Sequence, residues 1–157
     1  MRRISRIFVH CTASWQSTTT QASLRQEFKA KGWKSPGYHY VIFADGYIWQ
    51  MLGVQYVANG VKGYNKNSVH VAWVGGIMKS ADNKRILETD NRTYAQKLAL
   101  TRLLTELKKK YREAIIMGHR DISPDLNHNG VVDAWERIKA CPCFDAMVEY
   151  MELNKIV

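Results

Sequence analysis

Several features are scarce in this sequence, and each scarcity excludes a class of protein. No apolar run approaches the ~20 residues of a membrane span. The basic start, MRRISRIFVHCTASW, has too short and broken an apolar stretch to indicate a signal peptide. Proline occurs only 3 times and no run of serine and glycine is present, so nothing indicates a linker. The 3 cysteines form an odd set, which favours reduced thiols available to a metal over a disulfide scaffold.

The composition that remains is that of a globular domain with a basic surface. Of the 157 residues, 46% are hydrophobic and 24% are charged, which excludes an intrinsically disordered chain. The length predicts a single domain over residues 1–157. Lys and Arg number 23 against 14 Asp and Glu, and the net charge of +9 favours anionic partners such as nucleic acid, anionic lipid or cell-wall polymer.

Hydrophobic periodicity predicts an α/β fold, a sheet with helices packed on it. Strands are expected at Ile4–Cys11, Tyr38–Phe43, Tyr47–Leu52, Ser68–Val74 and Ala114–Gly118, and an Asp-Gly turn joins the second to the third. Helices are expected from caps at Thr18–Thr20 to about Lys31, over Thr93–Tyr111 and over Phe144–Leu153. The polar segment 78–92 is expected to be an exposed loop.

Two histidines and one cysteine are the candidate metal ligands. His10 ends the first predicted strand, His119 directly follows the last one, and Cys141 lies beyond a long loop. Strand ends can bring such residues to one point on a rigid sheet. Two imidazoles and one thiolate would leave a tetrahedral zinc with an open fourth position, as in catalytic zinc sites. The spacing alone leaves a second interpretation open, in which these are unrelated surface and packing residues.

Five segments together carry a resemblance to a known family. In the order IFVHCTAS, GYHYVI, KGYNKNSVHVAWVGG, GHRD and KACPCFD, they make the sequence similar to the zinc N-acetylmuramoyl-L-alanine amidases of amidase type 2. That superfamily includes the phage-lysozyme-like enzymes and the peptidoglycan recognition proteins. The resemblance runs from about residue 7 to residue 145. It implies a central mixed β-sheet with helices packed on its faces and a zinc cleft on one side, in which zinc is ligated by His10, His119 and Cys141.

The resemblance also implies a reaction and two catalytic residues, Tyr38 and Lys139. The reaction is hydrolysis of the amide between N-acetylmuramic acid and L-alanine of the peptidoglycan stem peptide. Lys139 lies two residues from Cys141 and would stabilise negative charge on the tetrahedral intermediate. Tyr38 would hydrogen-bond the zinc water or pass a proton. The alternative is a non-catalytic muropeptide-binding module of the same fold, although such relatives typically lack the thiolate ligand.

Peptidoglycan is therefore the expected partner, and we expect a monomer without a membrane span. The five tryptophans form no stacking stripe, so no nucleic-acid site is signalled. A chain made in the cytoplasm would reach the cell wall after lysis or through a dedicated secretion apparatus. A phage or prophage endolysin and a secreted antibacterial effector both fit this description.

Three positions depart from the family pattern or compete with it. Cys143 lies two residues from Cys141 and is a rival ligand, whereas Cys11 should point to the opposite face of its strand and serve as packing. Many relatives carry a His-Ala pair before the glycine of KGYN, and this chain has Gly60 and Val61 there. A substrate-contacting histidine is therefore expected to be missing.

A second candidate metal site lies in the loop 125–136. Its residues match the alternating ligand positions of a calcium loop, with a glycine at the sharp turn. The candidate ligands are Asp125, Asn127, Asn129, Val131, Asp133 and Glu136. No helix precedes the loop and two of its ligands are neutral. A metal-free loop held by side-chain turns of Asn and Asp is therefore the alternative.

Overall fold

The computed structural model describes residues 2–156. Within that range the strands are β1 Arg6–Cys11, β2 Tyr40–Ile42, β3 Ile48–Gln50, β4 Ser68–Trp73, β5 Ile77–Lys79, β6 Ile86–Glu88 and β7 Ile115–Gly118. The α-helices are α1 Gln21–Ala30, α2 Tyr94–Lys110, α3 Ala146–Glu149 and α4 Met151–Asn154. Short 3₁₀ helices cover Asn65–Asn67, His119–Ile122 and Ala134–Glu136.

The predicted mixed sheet is confirmed, with strand order β3-β2-β4-β1-β7. β1 is parallel to both β4 and β7, β2 is parallel to β4, and only β3 is antiparallel to its neighbour. Strands β1 and β4 are buried almost throughout. Central strands covered on both faces have continuous apolar sequences. Because β1 and β7 are parallel, their carboxyl ends meet at one edge of the sheet.

The two faces of β1 bury different kinds of side chain. Ile7, Val9 and Cys11 pack in the main core against apolar residues of α2 such as Leu100 and Leu104. The intervening residues, Phe8 and His10, point to the other face. There Phe8 contacts other aromatic and imidazole rings. The alternation of a strand therefore separates a dry core from a face on which imidazole groups collect.

Hydrogen bonds at its amino end fix α2 against the sheet. Thr93 and Gln96 form the predicted capping box: each side chain accepts from the other residue's backbone N–H, both at 3.0 Å. The buried Gln96 Nε2 also donates to the carbonyl oxygens of Ile42 (3.1 Å) and Val74 (2.8 Å). One side chain thus both begins the helix and joins it to two strands. Replacing such a cap by alanine typically costs about 1 kcal/mol.

The prediction of an exposed loop over 78–92 is wrong in part. Strands β5 and β6 form a separate antiparallel ladder in this region. Asn91 anchors its base, since Oδ1 accepts from Gly76 N at 2.8 Å and Nδ2 donates to the Ile77 carbonyl at 3.0 Å. Every residue of β6 is exposed. A strand without a buried face has no apolar alternation to reveal it.

The single helix predicted over Phe144–Leu153 is interrupted. Helix α3 ends before Tyr150, which has φ −108° and ψ 20°, and α4 begins after it. The Tyr150 ring is buried in the main core and meets the edge of the Phe144 ring. Asn154 in α4 then pairs with β7, accepting from Ile116 N at 2.8 Å and donating to the Ile116 carbonyl at 2.9 Å.

Candidate metal centre

The structure brings His10, His119 and Cys141 together. One ligand atom from each lies within 4.8 Å of the others. His10 Nδ1 is 3.7 Å from Cys141 Sγ, and the two imidazole centroids are 5.0 Å apart. Across residues 2–156, no other group of three or more His, Cys, Asp or Glu side chains converges in this way. Two nitrogens and one sulfur form a zinc-type donor set that leaves one coordination position open.

Each of these residues is placed by a different element at the same edge of the sheet. His10 is the penultimate residue of β1, and His119 begins the 3₁₀ helix that directly follows β7. Cys141 comes from the long connection after that helix. Its carbonyl accepts a hydrogen bond from Arg120 N at 2.9 Å, which attaches the cysteine segment to the His119 turn. The sheet thus holds residues that are far apart in sequence at one point.

Electrostatics favour the metal-binding form of the ligands. Burial, followed by the neighbouring His70, lowers the pKa of His10 well below its ordinary value. Burial and the positive charge of Lys139 lower the pKa of His119 to about 4. Both imidazoles are therefore neutral at physiological pH, as a metal requires. The backbone N–H of Cys11 donates to Cys141 Sγ at 3.3 Å, and such donors stabilise negative charge on sulfur.

The rival cysteine lies outside this group. Cys143 N donates to the Ala140 carbonyl at 2.7 Å, and Cys143 has φ +71°, so the chain turns sharply after Cys141. Cys143 Sγ consequently lies 3.6 Å from Cys11 Sγ, away from the two histidines. Side chains two residues apart share a side only in an extended segment. Cys11 is buried in the main core, in agreement with its predicted packing role.

The candidate ligands open into a cleft of about 730 Å³. Its walls include both predicted catalytic residues, Tyr38 and Lys139, together with charged side chains of both signs, among them Glu27, Lys31 and Arg137. Lys139 is exposed. The cleft therefore presents aromatic, acidic and basic groups beside the candidate ligands.

Tyr38 packs beside the candidate ligands and keeps its proton. Its ring centroid is 5.3 Å from that of His10, and its ring meets the Phe28 ring edge-on at 5.4 Å. Burial, followed by the neighbouring Cys141 and Cys11 thiols, raises the pKa of Tyr38 well above its ordinary value. The hydroxyl is therefore a hydrogen-bond donor at neutral pH.

Two further histidines beside the site were not predicted from the sequence. His70 Nδ1 lies 3.0 Å from His10 Nε2. The His70 ring is stacked between Phe8 and His39, with centroid separations of 5.5 and 5.8 Å. The sequence did offer a signal for His70, because SVHVAWV is otherwise apolar or small after its first residue. The strand that it forms is fully buried. A polar side chain buried in such a strand needs a hydrogen-bond partner.

The loop 125–136 shows the hydrogen bonds of its metal-free alternative. Asn127 Oδ1 accepts from Asn129 N at 3.0 Å, and Asn129 Oδ1 accepts from Val131 N at 2.8 Å. The buried Glu136 carboxylate accepts backbone N–H bonds at both oxygens, from Leu126, Asn127 and Asp133. Asp125 likewise accepts from Asn129 and Gly130. The calcium prediction therefore gains no support from the structure.

The basic end of α2 has a structural role. Lys108 is buried, and its Nζ donates to the carbonyl oxygens of Arg112 and Ala114 beyond the helix end. Cations suit the carboxyl end of a helix, where carbonyl groups lack partners. In the part of the chain described, no helix is long and apolar enough to cross a membrane.

Comparison with known proteins defines the class. Residues 1–143 match the family model described as N-acetylmuramoyl-L-alanine amidase, Amidase_2, and the chain belongs to this family. It is 39% identical to the endolysin of Klebsiella phage KP32 over 154 residues, which cover 98% of this chain and 89% of the relative. It is 36% identical to the endolysin of Escherichia phage T7 over 152 residues, covering 96% and 87%.

Solved structures share the fold. N-acetylmuramoyl-L-alanine amidase LysC from Clostridium intestinale URNW superimposes with a TM-score of 0.71 at 22% identity, covering 98% of this chain and 87% of that one. Wild-type Drosophila PGRP-LB superimposes with a TM-score of 0.65 at 18% identity, covering 96% and 81%. At these identities the likeness shows the α/β architecture, which agrees with the fold that the sequence predicts.

Proposed function

We propose that this chain is a zinc-dependent N-acetylmuramoyl-L-alanine amidase that hydrolyses the amide between N-acetylmuramic acid and L-alanine in peptidoglycan. The observation that carries the proposal is the convergence of His10, His119 and Cys141 in a cleft that also contains Tyr38 and Lys139. Membership of the amidase family and the phage endolysins among its relatives support the same reaction.

The donor set fits zinc. His10 and His119 are neutral because they are buried, and Cys141 receives an N–H hydrogen bond that suits a thiolate. When bound, zinc supplies Lewis acidity, which polarises an amide carbonyl and acidifies water. The protein's part is to hold the three ligands on strand ends and leave the fourth direction open to the cleft.

Lys139 provides positive charge where the scissile carbonyl becomes negative. Its ammonium group lies close enough to the ligands to lower the pKa values of His119 and His10. A cation placed in the cleft stabilises negative charge that develops on an oxyanion. Lys139 is two residues from Cys141, so the segment that places the sulfur also places the ammonium group.

Tyr38 acts as a hydrogen-bond donor beside the attacking water. Because burial keeps its hydroxyl protonated, Tyr38 Oη can orient that water or pass a proton during bond cleavage. The edge-on contact with Phe28 holds the ring in place. Phe28 in turn stacks on Trp33, with centroids 5.6 Å apart, and this aromatic pair forms an apolar wall of the cleft.

The site of action that fits this activity is the bacterial cell wall. The relatives named endolysins come from phages, and we extend that role to this chain: a wall-degrading enzyme that meets peptidoglycan after its release from the cytoplasm. The charged side chains of the cleft, Glu27, Lys31 and Arg137 among them, then face the stem peptide and the sugar.

Digestion of purified peptidoglycan tests the proposal. Wild-type protein should release stem peptides with a new amino-terminal L-alanine, a chelator should abolish this release, and added Zn²⁺ should restore it. Cys141→Ser serves as the control for the metal centre. A protein that co-sediments with peptidoglycan but generates no new amino groups would be a binding module, and the proposed activity would then be wrong.

A further inference from the structure

We propose that His70 is a positioning residue for the metal centre, because its Nδ1 accepts a hydrogen bond from His10 Nε2–H and thereby leaves the lone pair of His10 Nδ1 for the metal. This inference rests on the proposed function, since it concerns how the zinc ligands are prepared. It assigns a role to an imidazole that neither touches the cleft nor was predicted from the sequence.

Metal binding through His10 Nδ1 would fix which of the two histidines carries the proton between them. His10 Nε2 and His70 Nδ1 are 3.0 Å apart, so one of these nitrogens carries the hydrogen. The other nitrogen of His10, Nδ1, faces Cys141 Sγ at 3.7 Å and is the atom available to the metal. A neutral imidazole has one N–H. If His10 Nδ1 keeps its lone pair, the hydrogen is on Nε2, and His70 Nδ1 is the acceptor.

This acceptor is an unusual one for a metal-bound histidine. Such histidines almost always donate their second N–H to a carboxylate, a backbone carbonyl or water, and that bond fixes the tautomer and the ring orientation. Among the described residues, His10 Nε2 has His70 as its hydrogen-bond partner. An imidazole therefore occupies the place that a carboxylate or carbonyl would normally take.

The surroundings hold the His70 ring at a fixed angle. It is fully buried and nearly parallel to the rings on both sides, with its plane tilted 6° from that of Phe8 and 4° from that of His39. Phe8 and His70 are paired residues in the β1–β4 register, which sets their contact. The backbone N–H of His70 also donates to His39 Nδ1 at 3.0 Å. The acceptor thus comes from the rigid sheet.

An unsatisfied atom argues against a purely structural role. His70 Nε2 is buried and has no hydrogen-bond partner in the described part of the chain. Buried polar atoms without partners are rare and unfavourable. An apolar side chain at residue 70 would remove that defect while filling the same space. The bond to His10 gives this buried imidazole a role that an apolar side chain could not fill.

Gly60 makes the arrangement sterically feasible. A Cβ atom at residue 60 would lie 2.3 Å from His70 Nδ1 and 2.8 Å from the Gly37 carbonyl oxygen. Both distances are shorter than real contacts, and the second neighbour is backbone. The volume next to His10 that a side chain at residue 60 would enter is already filled by the His70 ring.

Zinc affinity, measured without substrate, tests the inference. His70→Leu removes the acceptor and should weaken zinc binding about 10- to 100-fold in competition with a chromophoric chelator. His70→Asn places Oδ1 near the position of Nδ1 and should recover most of that loss. His128→Asn is the matched control: this histidine is exposed in the loop 125–136, and asparagine suits its positive φ of +60°, so zinc affinity should stay at the wild-type value.

Two results would overturn the inference: wild-type zinc affinity in folded His70→Leu, or His70→Asn binding as weakly as His70→Leu. If the leucine variant does not fold, the protonation states of His10 and His70 in the wild type still test the inference. Two-bond ¹H–¹⁵N spectra of the zinc-loaded protein should show His10 protonated at Nε2 and His70 unprotonated at Nδ1, and the opposite assignment would refute the proposal. Wild type that binds zinc but releases no stem peptides with a new amino-terminal L-alanine would contradict the proposed function alone.

Discussion

Because His39 is buried and accepts a hydrogen bond, we expect the folded chain to lose stability in mild acid. Its side chain is fully buried, and Nδ1 accepts the hydrogen bond from His70 N at 3.0 Å. Burial, assisted by the nearby Arg2 guanidinium, lowers the pKa of His39 from 6.5 to about 4, although a hydrogen bond to the Tyr56 carbonyl opposes this shift. Protonating His39 would require the folded protein to bury a charge and give up the bond from His70.

The sign and size of the effect follow from proton linkage. Between the folded pKa near 4 and the unfolded value of 6.5, the unfolded chain binds more protons at His39 than the folded chain. The free energy of unfolding therefore falls as the pH falls through this window and is unaffected by His39 above it. Each pH unit inside the window costs about 1.4 kcal/mol, so lowering the pH from about 7.5 to about 5 should cost about 2 kcal/mol.

Urea unfolding at the two pH values measures this contribution. Wild type and His39→Asn are compared with zinc held saturating, so that the pH dependence of metal binding is common to both proteins. His39→Asn keeps an acceptor for His70 N but does not titrate. Its loss of stability on acidification should be about 2 kcal/mol smaller than that of the wild type. Equal losses in the two proteins would refute the reasoning.

Three further changes test the site. Cys141→Ser should lose zinc and activity together, whereas Cys143→Ser should retain both; elemental analysis showing the reverse would make the ligand assignment wrong. Lys139→Ala should retain zinc but lower kcat about 10²–10³-fold, and activity within a few-fold of wild type would mark a surface lysine. Gly60→Ala should weaken zinc binding, because its Cβ would lie 2.3 Å from the strand histidine, and a chelator titration identical to wild type would contradict this.

The sequence predicts best the parts of the fold that are most buried. Strands β1 and β4 are covered on both faces, so their apolar runs have no alternation to interpret and only their length and turn signals matter. Helix α2 is signalled by its capping box. The ladder of β5 and β6 was not predicted, because β6 is exposed throughout and backbone pairing without burial leaves little trace in the sequence.

The positions of the candidate ligands were predictable where a strand end fixes them and not where a turn intervenes. His10 and His119 follow from the ends of β1 and β7. The prediction assumed an extended segment, in which both sulfurs lie on one side. In the structure Cys143 has a left-handed backbone, with φ +71°, which separates its sulfur from that of Cys141. His70 could not be assigned from its own strand, because its contact with His10 depends on the register between β1 and β4.

Gly60 and His70 constrain each other, which changes the meaning of the missing histidine. Considered alone, Gly60 is a loss relative to the amidase pattern, because an imidazole is expected there. In the structure the His70 ring lies where a Cβ of residue 60 would be, and its Nδ1 contacts His10. A side chain at residue 60 and an imidazole at residue 70 therefore exclude one another. A homologue with histidine at the first position should carry a small residue at the second, and in this chain the strand supplies the imidazole that the loop lacks.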